Sequence, residues 1–256
     1  MMKTKKSVLI LPALILLTAW GCRNDVNPAT REVTYESNAK LKRTLMYSSA
    51  EDSTPIAIVD EYEYDNQDRV SKISSPWYDD GKIVGTGKYD LYEYNSGGQV
   101  ARISNFNANI YSPTGFLNLK NYIYTYNPGG LKTKELIEYP QISTSEYTLY
   151  FYDGQKLVKA ERYGRQLEDY ITYEYNGTNL VKEVFHSSKG EPLTITRHTY
   201  TNGLKTKTEI SLASNNEKTR VINKTYDANH NLVMMESKEL ALYSSAMSYV
   251  MRYEYY

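Results

Sequence analysis

The chain has 256 residues, with 30 basic and 30 acidic side chains balancing to zero formal charge, and a single cysteine. That balance supplies no basic field for nucleic acid, and one cysteine excludes an internal disulfide framework. Aromatic usage is lopsided: 27 tyrosines stand against four phenylalanines and two tryptophans, which suits sheet faces with one dry edge and one wet end rather than a thick apolar sandwich.

Lys3, Lys5 and Lys6 precede an apolar run from Ser7 to Thr18. The run is too short to span a bilayer comfortably and reads as the core of an export signal over residues 1–21. Ala19-Trp20-Gly21-Cys22 resembles the bacterial lipobox. The resemblance implies that Cys22 is lipidated and opens the mature chain, with the membrane as a partner through that anchor. Loss of the three lysines would leave a formal charge of −3. Residues 22–31 then form a short polar tether, and residues 32–256 a single repeat domain.

Nine times from Tyr35 onward a tyrosine doublet, or a remnant of one, runs into a turn and then an aliphatic segment with lysine or arginine. The second positions are Tyr35, Tyr64, Tyr94, Tyr126, Tyr152, Tyr175, Tyr200, Tyr226 and Tyr255, spaced 23 to 32 residues apart. Tyr-x-Tyr places both rings on one face of a strand. Asn66-Gln67, Gly97-Gly98, Gly129-Gly130, Asp153-Gly154, Asn176-Gly177 and Asn202-Gly203 follow the doublets and tolerate the positive φ of hairpin turns. A second set of turns must return the chain: Asp79-Asp80-Gly81, the stretch from Asn105 to Gly115, Gly164-Arg165, Ser188-Lys189-Gly190 and Ser214-Asn215-Asn216. No helical periodicity follows Cys22. The expectation is an all-β fold, an up-and-down antiparallel meander of about 16 to 18 strands. A sheet that wide should curl, and a partly open sheet is expected, with a sandwich or closed barrel as the alternative. Register is not readable, because segments such as Leu180-Val181-Lys182-Glu183-Val184 do not alternate.

Tyr64-Asp65-Asn66-Gln67-Asp68-Arg69-Val70 and Tyr226-Asp227-Ala228-Asn229-His230-Asn231-Leu232 resemble the YD repeats of the RHS family. The likeness extends over most of the chain from Val33. As a whole the chain is similar to repeat-containing envelope lipoproteins of Bacteroidetes-type bacteria, which implies a lipid-anchored cell-envelope location at the outer membrane, on either its periplasmic or its surface face. The large RHS shells enclose a toxin. Too few repeats and no Asp-Pro-x-Gly core stand here to carry that function over.

The residues offer little chemistry. His186, His198 and His230 fall in different units without metal-ligand spacing, and no cofactor or metal site is expected. Ser37-Asn38-Ala39-Lys40 matches a bare serine-x-x-lysine pattern without its partner motifs. Acidic turns such as Asp65 to Asp68 read as ordinary turn chemistry. The tyrosine ladder reads first as cross-strand packing and second as a platform for sugar rings or an apolar ligand. Off the repeat, Trp77 and Tyr78 at one turn and Tyr111 and Phe116 in the next insertion should adjoin on one sheet edge, and they are the candidate binding residues. The expected function is a non-catalytic envelope module for a glycan or protein partner. A carrier of an apolar ligand and an enzyme built from converging Asp, Glu or His residues are the alternatives.

Overall fold

The computed structural model describes residues 39–240 and 248–256. Its strands are β1 (Leu41–Tyr47), β2 (Ala57–Tyr64), β3 (Val70–Asp79), β4 (Lys82–Tyr94), β5 (Val100–Ala108), β6 (Phe116–Tyr126), β7 (Lys132–Tyr139) and β8 (Thr144–Asp153). There follow β9 (Lys156–Tyr163), β10 (Leu167–Asn176), β11 (Asn179–Ser187), β12 (Pro192–Thr201), β13 (Leu204–Leu212), β14 (Lys218–Tyr226), β15 (Leu232–Glu239) and β16 (Ser248–Tyr255). No helix occurs among the described residues. Each strand pairs antiparallel with its sequence neighbours, and β1 pairs with β16.

The sheet is therefore a closed barrel, not the partly open sheet expected first. The reason lies in the last doublet. Tyr253 and Tyr255 lie on β16, which pairs with β15 on one side and β1 on the other, from Leu41↔Tyr255 to Tyr47↔Val250. Closure removes two strand edges that would each expose a row of unpaired backbone groups. The seam is reinforced by the Arg43–Glu254 ion pair, by the Tyr256 amide donating to the Lys40 carbonyl at 2.9 Å, and by an edge-on contact of the Tyr64 and Tyr256 rings. Sixteen strands at about 4.8 Å, tilted as closure requires, enclose a barrel about 30 Å across between backbones.

Doublet turns fall into two kinds, all at one rim. Four connections, 65–69, 95–99, 127–131 and 227–231, have five residues. In each the Asp or Asn after the doublet closes the turn with its own side chain. Asp65 Oδ1 accepts from the amides of Gln67 and Arg69, Asn95 Oδ1 from Gly97 and Gln99, Asn127 Oδ1 from Leu131, and Asp227 Oδ1 from Asn229 and Asn231, all at 2.8–3.0 Å. The aspartates are thus turn closers, as ordinary turn chemistry requires. Three others, after β8, β10 and β12, are two-residue hairpins; at Asn202 (φ 54°) and Gly203 (φ 80°) both residues are left-handed, the twist that a tight hairpin needs.

A bulge recurs beside the second tyrosine of the doublet. The register shifts at 63/64, 93/94, 125/126, 151/152, 174/175, 199/200 and 225/226. One extra residue on the following strand puts Leu180 opposite Tyr175 and Glu183 opposite Tyr173, so both share the doublet face, while Lys182 and Val184 lie on the other. That extra residue is what hid the alternation in the sequence.

The doublet face points inward. On β12, Thr194, Thr196, His198 and Tyr200 are shielded while Arg197, Thr199 and Thr201 are exposed. Phenols two strands apart also sense one another: Tyr152 feels Tyr126 and Tyr175, and Tyr150 feels Tyr124 and Tyr173. Only side chains converging on the concave side come that close. The outward face carries charge, including the Lys72–Glu63 and Lys182–Glu174 ion pairs. A small separate core of Leu45, Tyr47 and Val250, with Ala50, Ile58 and Met234 against it, lies where the β1–β2 connection covers the wall.

Candidate functional site

The inner wall is built in levels. At the turn rim the second tyrosines tie their hydroxyls to backbone carbonyls of the preceding strand. Tyr64 donates to Leu41, Tyr94 to Val70, Tyr126 to Val100, Tyr152 to Lys132, Tyr200 to Leu180, Tyr226 to Lys205 and Tyr255 to Leu232, at 2.7–3.0 Å. These phenols are structural, because their only donor is committed. Burial raises the pKa of Tyr64, Tyr94, Tyr126, Tyr152 and Tyr255: Tyr64 and Tyr255 are pushed up to about 12 and Tyr152 beyond the ordinary tyrosine range.

One level deeper lie the first doublet positions: Tyr62, Tyr92, Tyr124, Tyr150, Tyr173 and Tyr253, with His198 and Lys224 in place of tyrosine on β12 and β14. Facing them on the odd strands are Thr44, Ile73, Ile103, Glu135, Ala160, Glu183, Thr208 and Met235. The ring is two-sided. From β15 round to β5 the odd-strand positions are Met235, Thr44, Ile73 and Ile103, whereas from β7 to β14 Glu135, Glu183, His198 and Lys224 intrude.

Around that polar arc the groups are coupled. Lys132 Nζ is 3.6 Å from Glu135 and lies 5.0 and 4.3 Å from the ring centres of Tyr124 and Tyr150. Burial lowers the Lys132 pKa, with Glu135 opposing the shift. Tyr150 reaches Glu135 at 3.4 Å, and burial raises its pKa strongly, as it does that of Tyr173. Ala160, fully buried, sits opposite both Tyr150 and Ile171. His198 Nε2 is 2.8 Å from Glu183 and its Nδ1 is 2.9 Å from the Thr208 hydroxyl. Further toward the other rim, Arg162 pairs with Asp169 and lies 3.5 Å from Glu168 and 3.9 Å from Glu146. Tyr139 donates to Glu146 at 3.2 Å and is pushed up to about 12, mainly by burial.

The four candidate aromatics share the other rim but do not form one site. Tyr78 is bound to the wall: its hydroxyl accepts from the Ile58 amide at 2.6 Å. Phe116 packs edge-on against Tyr89, 4.8 Å between ring centres, and Tyr89 stacks on Phe106. Trp77 and Tyr111 remain exposed. Cys22, the 22–31 tether and the Tyr35 doublet lie outside the described residues. No group of three or more His, Cys, Asp or Glu side chains that could hold a metal occurs among the described residues. The inner arc escaped sequence reasoning, although its signal was present: Glu135 and Glu183 stand where sister repeats have isoleucine, and His198 and Lys224 where they have tyrosine.

No family model and no curated protein matches the chain. Among solved structures it is similar to a porin-like protein of Bacteroides vulgatus, 11% identical, over 85% of this chain and 99% of that one, with a TM-score of 0.40. A porin-like protein of Bacteroides uniformis is 9% identical over 84% and 98%, with a TM-score of 0.37. A chain of the Photorhabdus luminescens Tc holotoxin pore is 15% identical over 70% of this chain, with a TM-score of 0.33. This chain spans only 10% of that toxin chain's length. Scores this low do not establish a common fold.

Proposed function

We propose that the chain is a lipid-anchored, non-catalytic protein of a Gram-negative envelope that binds a glycan inside its barrel. The observation that carries the reading is the inner polar arc. Tyr124, Tyr150 and Tyr173 would supply ring faces for the C–H side of sugars, Glu135 and Glu183 opposite them acceptors, and Arg162 one level further along the wall a donor. A wall standing in water is supported by its outward cations, Lys72, Arg102, Lys134, Lys159, Lys182 and Lys207, one on each odd strand from β3 to β13. On a lipid-facing wall each would cost about 2–4 kcal/mol at the bilayer midplane.

Glu183, His198 and Thr208 form a carboxylate–imidazole–hydroxyl line. They sit in mid-strand, where β11, β12 and β13 pair through Glu183↔Thr196 and His198↔Thr208. Backbone amides there serve the ladder rather than an oxyanion, which favours a satisfied buried histidine over a catalytic one. The apolar half of the ring keeps the carrier of an apolar ligand as a second reading, favoured if a native mass spectrum shows co-purifying lipid.

The test is calorimetric titration with envelope glycan fragments, on the parent chain and on Tyr150→Ala and Glu183→Gln. Saturable binding weakened by both variants is expected. Absence of binding to the whole panel, or binding that neither variant changes, would remove the glycan reading. Metabolic labelling with an alkyne fatty acid, lost in Cys22→Ala, tests the anchor separately.

A further inference from the structure

The two rims differ in chemistry. The doublet rim carries Asp, Asn and Gly turns. Most of the large exposed apolar side chains gather at the other, among them Ile56 on the β1–β2 connection, Trp77, Ile83 and Val84 on the β3–β4 hairpin, and Ile110 and Tyr111 on the β5–β6 loop. Ile110 is 81% exposed and Tyr111 89% exposed. These three connections are neighbours on the rim, since β1 to β6 are consecutive in the wall.

The β3–β4 hairpin also parts from the backbone ladders beside it. Pairing of β2 to β3 ends at Ser74, and pairing of β5 to β4 ends at Lys88. Beyond those points Pro76 to Thr86 pair only with each other, through Pro76↔Thr86, Trp77↔Gly85 and Tyr78↔Ile83. A two-stranded ribbon is marginal in water alone. This one is held at Tyr78, next to its turn, by the Ile58 backbone, and it exposes Trp77, Ile83 and Val84 along its two strands beside an apex of Asp79, Asp80, Gly81 and Lys82.

We propose that this rim seats on a lipid bilayer surface, with Trp77, Ile83 and Val84 of the β3–β4 ribbon and Ile110 and Tyr111 of the β5–β6 loop resting at interfacial depth. Tryptophan and tyrosine beside aliphatic side chains match that boundary, where a ring has one apolar side and one polar end. Separate tips on neighbouring loops suit a plane that receives each side chain independently. Asp79, Asp80 and Lys82 at the ribbon's turn and Lys88 at its base balance in charge and suit the polar headgroup layer, so the contact is apolar in origin and needs no anionic lipid. The inference rests on the anchored reading above, and the chain length permits it. Residues 22–38 can span at most about 60 Å, against a barrel height of about 25 Å, so a lipid on Cys22 reaches the bilayer although β1 starts at the opposite rim.

The experiment uses the chain from Arg23 onward, in which every described strand keeps its partners and Trp77 is the sole tryptophan. Lacking Cys22, it tests the rim independently of lipidation. Phosphatidylcholine vesicles, with and without bromine on the acyl chains, and phosphatidylethanolamine–phosphatidylglycerol vesicles are the probes. Expected are a blue shift of Trp77 emission, quenching by the bromines, and co-sedimentation that Ile83→Ser with Tyr111→Ser weakens at least about tenfold at an unchanged melting temperature. Unquenched Trp77 emission, or sedimentation indifferent to the double variant, would overturn the proposal. So would a vesicle-free dimer that shields Trp77, which would assign the rim to a second copy.

Discussion

Removing the Tyr126 hydroxyl isolates the contact that repeats around the barrel. In Tyr126→Phe the ring stays and only the donor to the Val100 carbonyl, 2.8 Å away, is lost. A net intramolecular hydrogen bond contributes about 0.5–1.5 kcal/mol, and the relief of no longer burying a phenol offsets part of it, so about 1 kcal/mol is expected. For a domain of this size that lowers the melting temperature by about 2–4 °C. Equivalent hydroxyls on Tyr64 and Tyr200 sit on β2 and β12 with their own acceptors, Leu41 and Leu180. Distant sites add, so the triple Phe variant should lose about 3 kcal/mol. Thermal unfolding followed by circular dichroism near 218 nm reads both, with Tyr111→Phe, exposed at its loop tip, as the control that should not move. If the triple variant melts with the parent, the hydroxyl ladder does not hold the barrel and the reasoning fails.

Closure predicts that Met46 and Met251, directly paired across the seam, can be joined. With Cys22 changed to Ser, Met46→Cys with Met251→Cys should oxidise to a disulfide seen by peptide mass mapping, and an open sheet would leave both thiols free. Gly203→Ala, at φ 80° in the β12–β13 turn, should destabilise by about 1–2 kcal/mol in urea unfolding. The Ser237 hydroxyl is buried with no hydrogen-bond partner among the described residues, so Ser237→Ala should be neutral or stabilising by up to about 1–2 kcal/mol. Alkali should act through the inner phenols. Tyr64, Tyr139 and Tyr255 rise from 10.0 to about 12, so the stability they contribute is full below about pH 10 and is lost as pH climbs through 12. Tyrosinate absorbance at 295 nm should therefore jump together with loss of strand signal, and smooth titration of a still-folded barrel would contradict the assignment.

The doublet and its turn are short-range devices, and they were legible. Tyr62-Glu63-Tyr64 followed by Asp65 sets strand, face and turn within a few residues, and the hairpins form where Gly98, Gly154 and Gly203 supply positive φ. The register was not legible, because the extra residue at Val181 breaks the period-two pattern and shows only when β10 lies beside β11. The candidate aromatics were placed on the right rim, but nothing local could show that Tyr78 would bind the Ile58 backbone or that Phe116 would pack on Tyr89.

Local sequence determined an all-β meander with its tyrosines on one face, since strand, turn and side-chain alternation are decided within a single hairpin. Closure was decided only in three dimensions: Leu41 meets Tyr255 because fifteen connections of twist and tilt bring the first edge to the last. Inside and outside, and with them the arc of Glu135, Glu183, His198 and Lys224, acquire meaning from that closure alone, because a face becomes an interior only when the sheet returns to its own start.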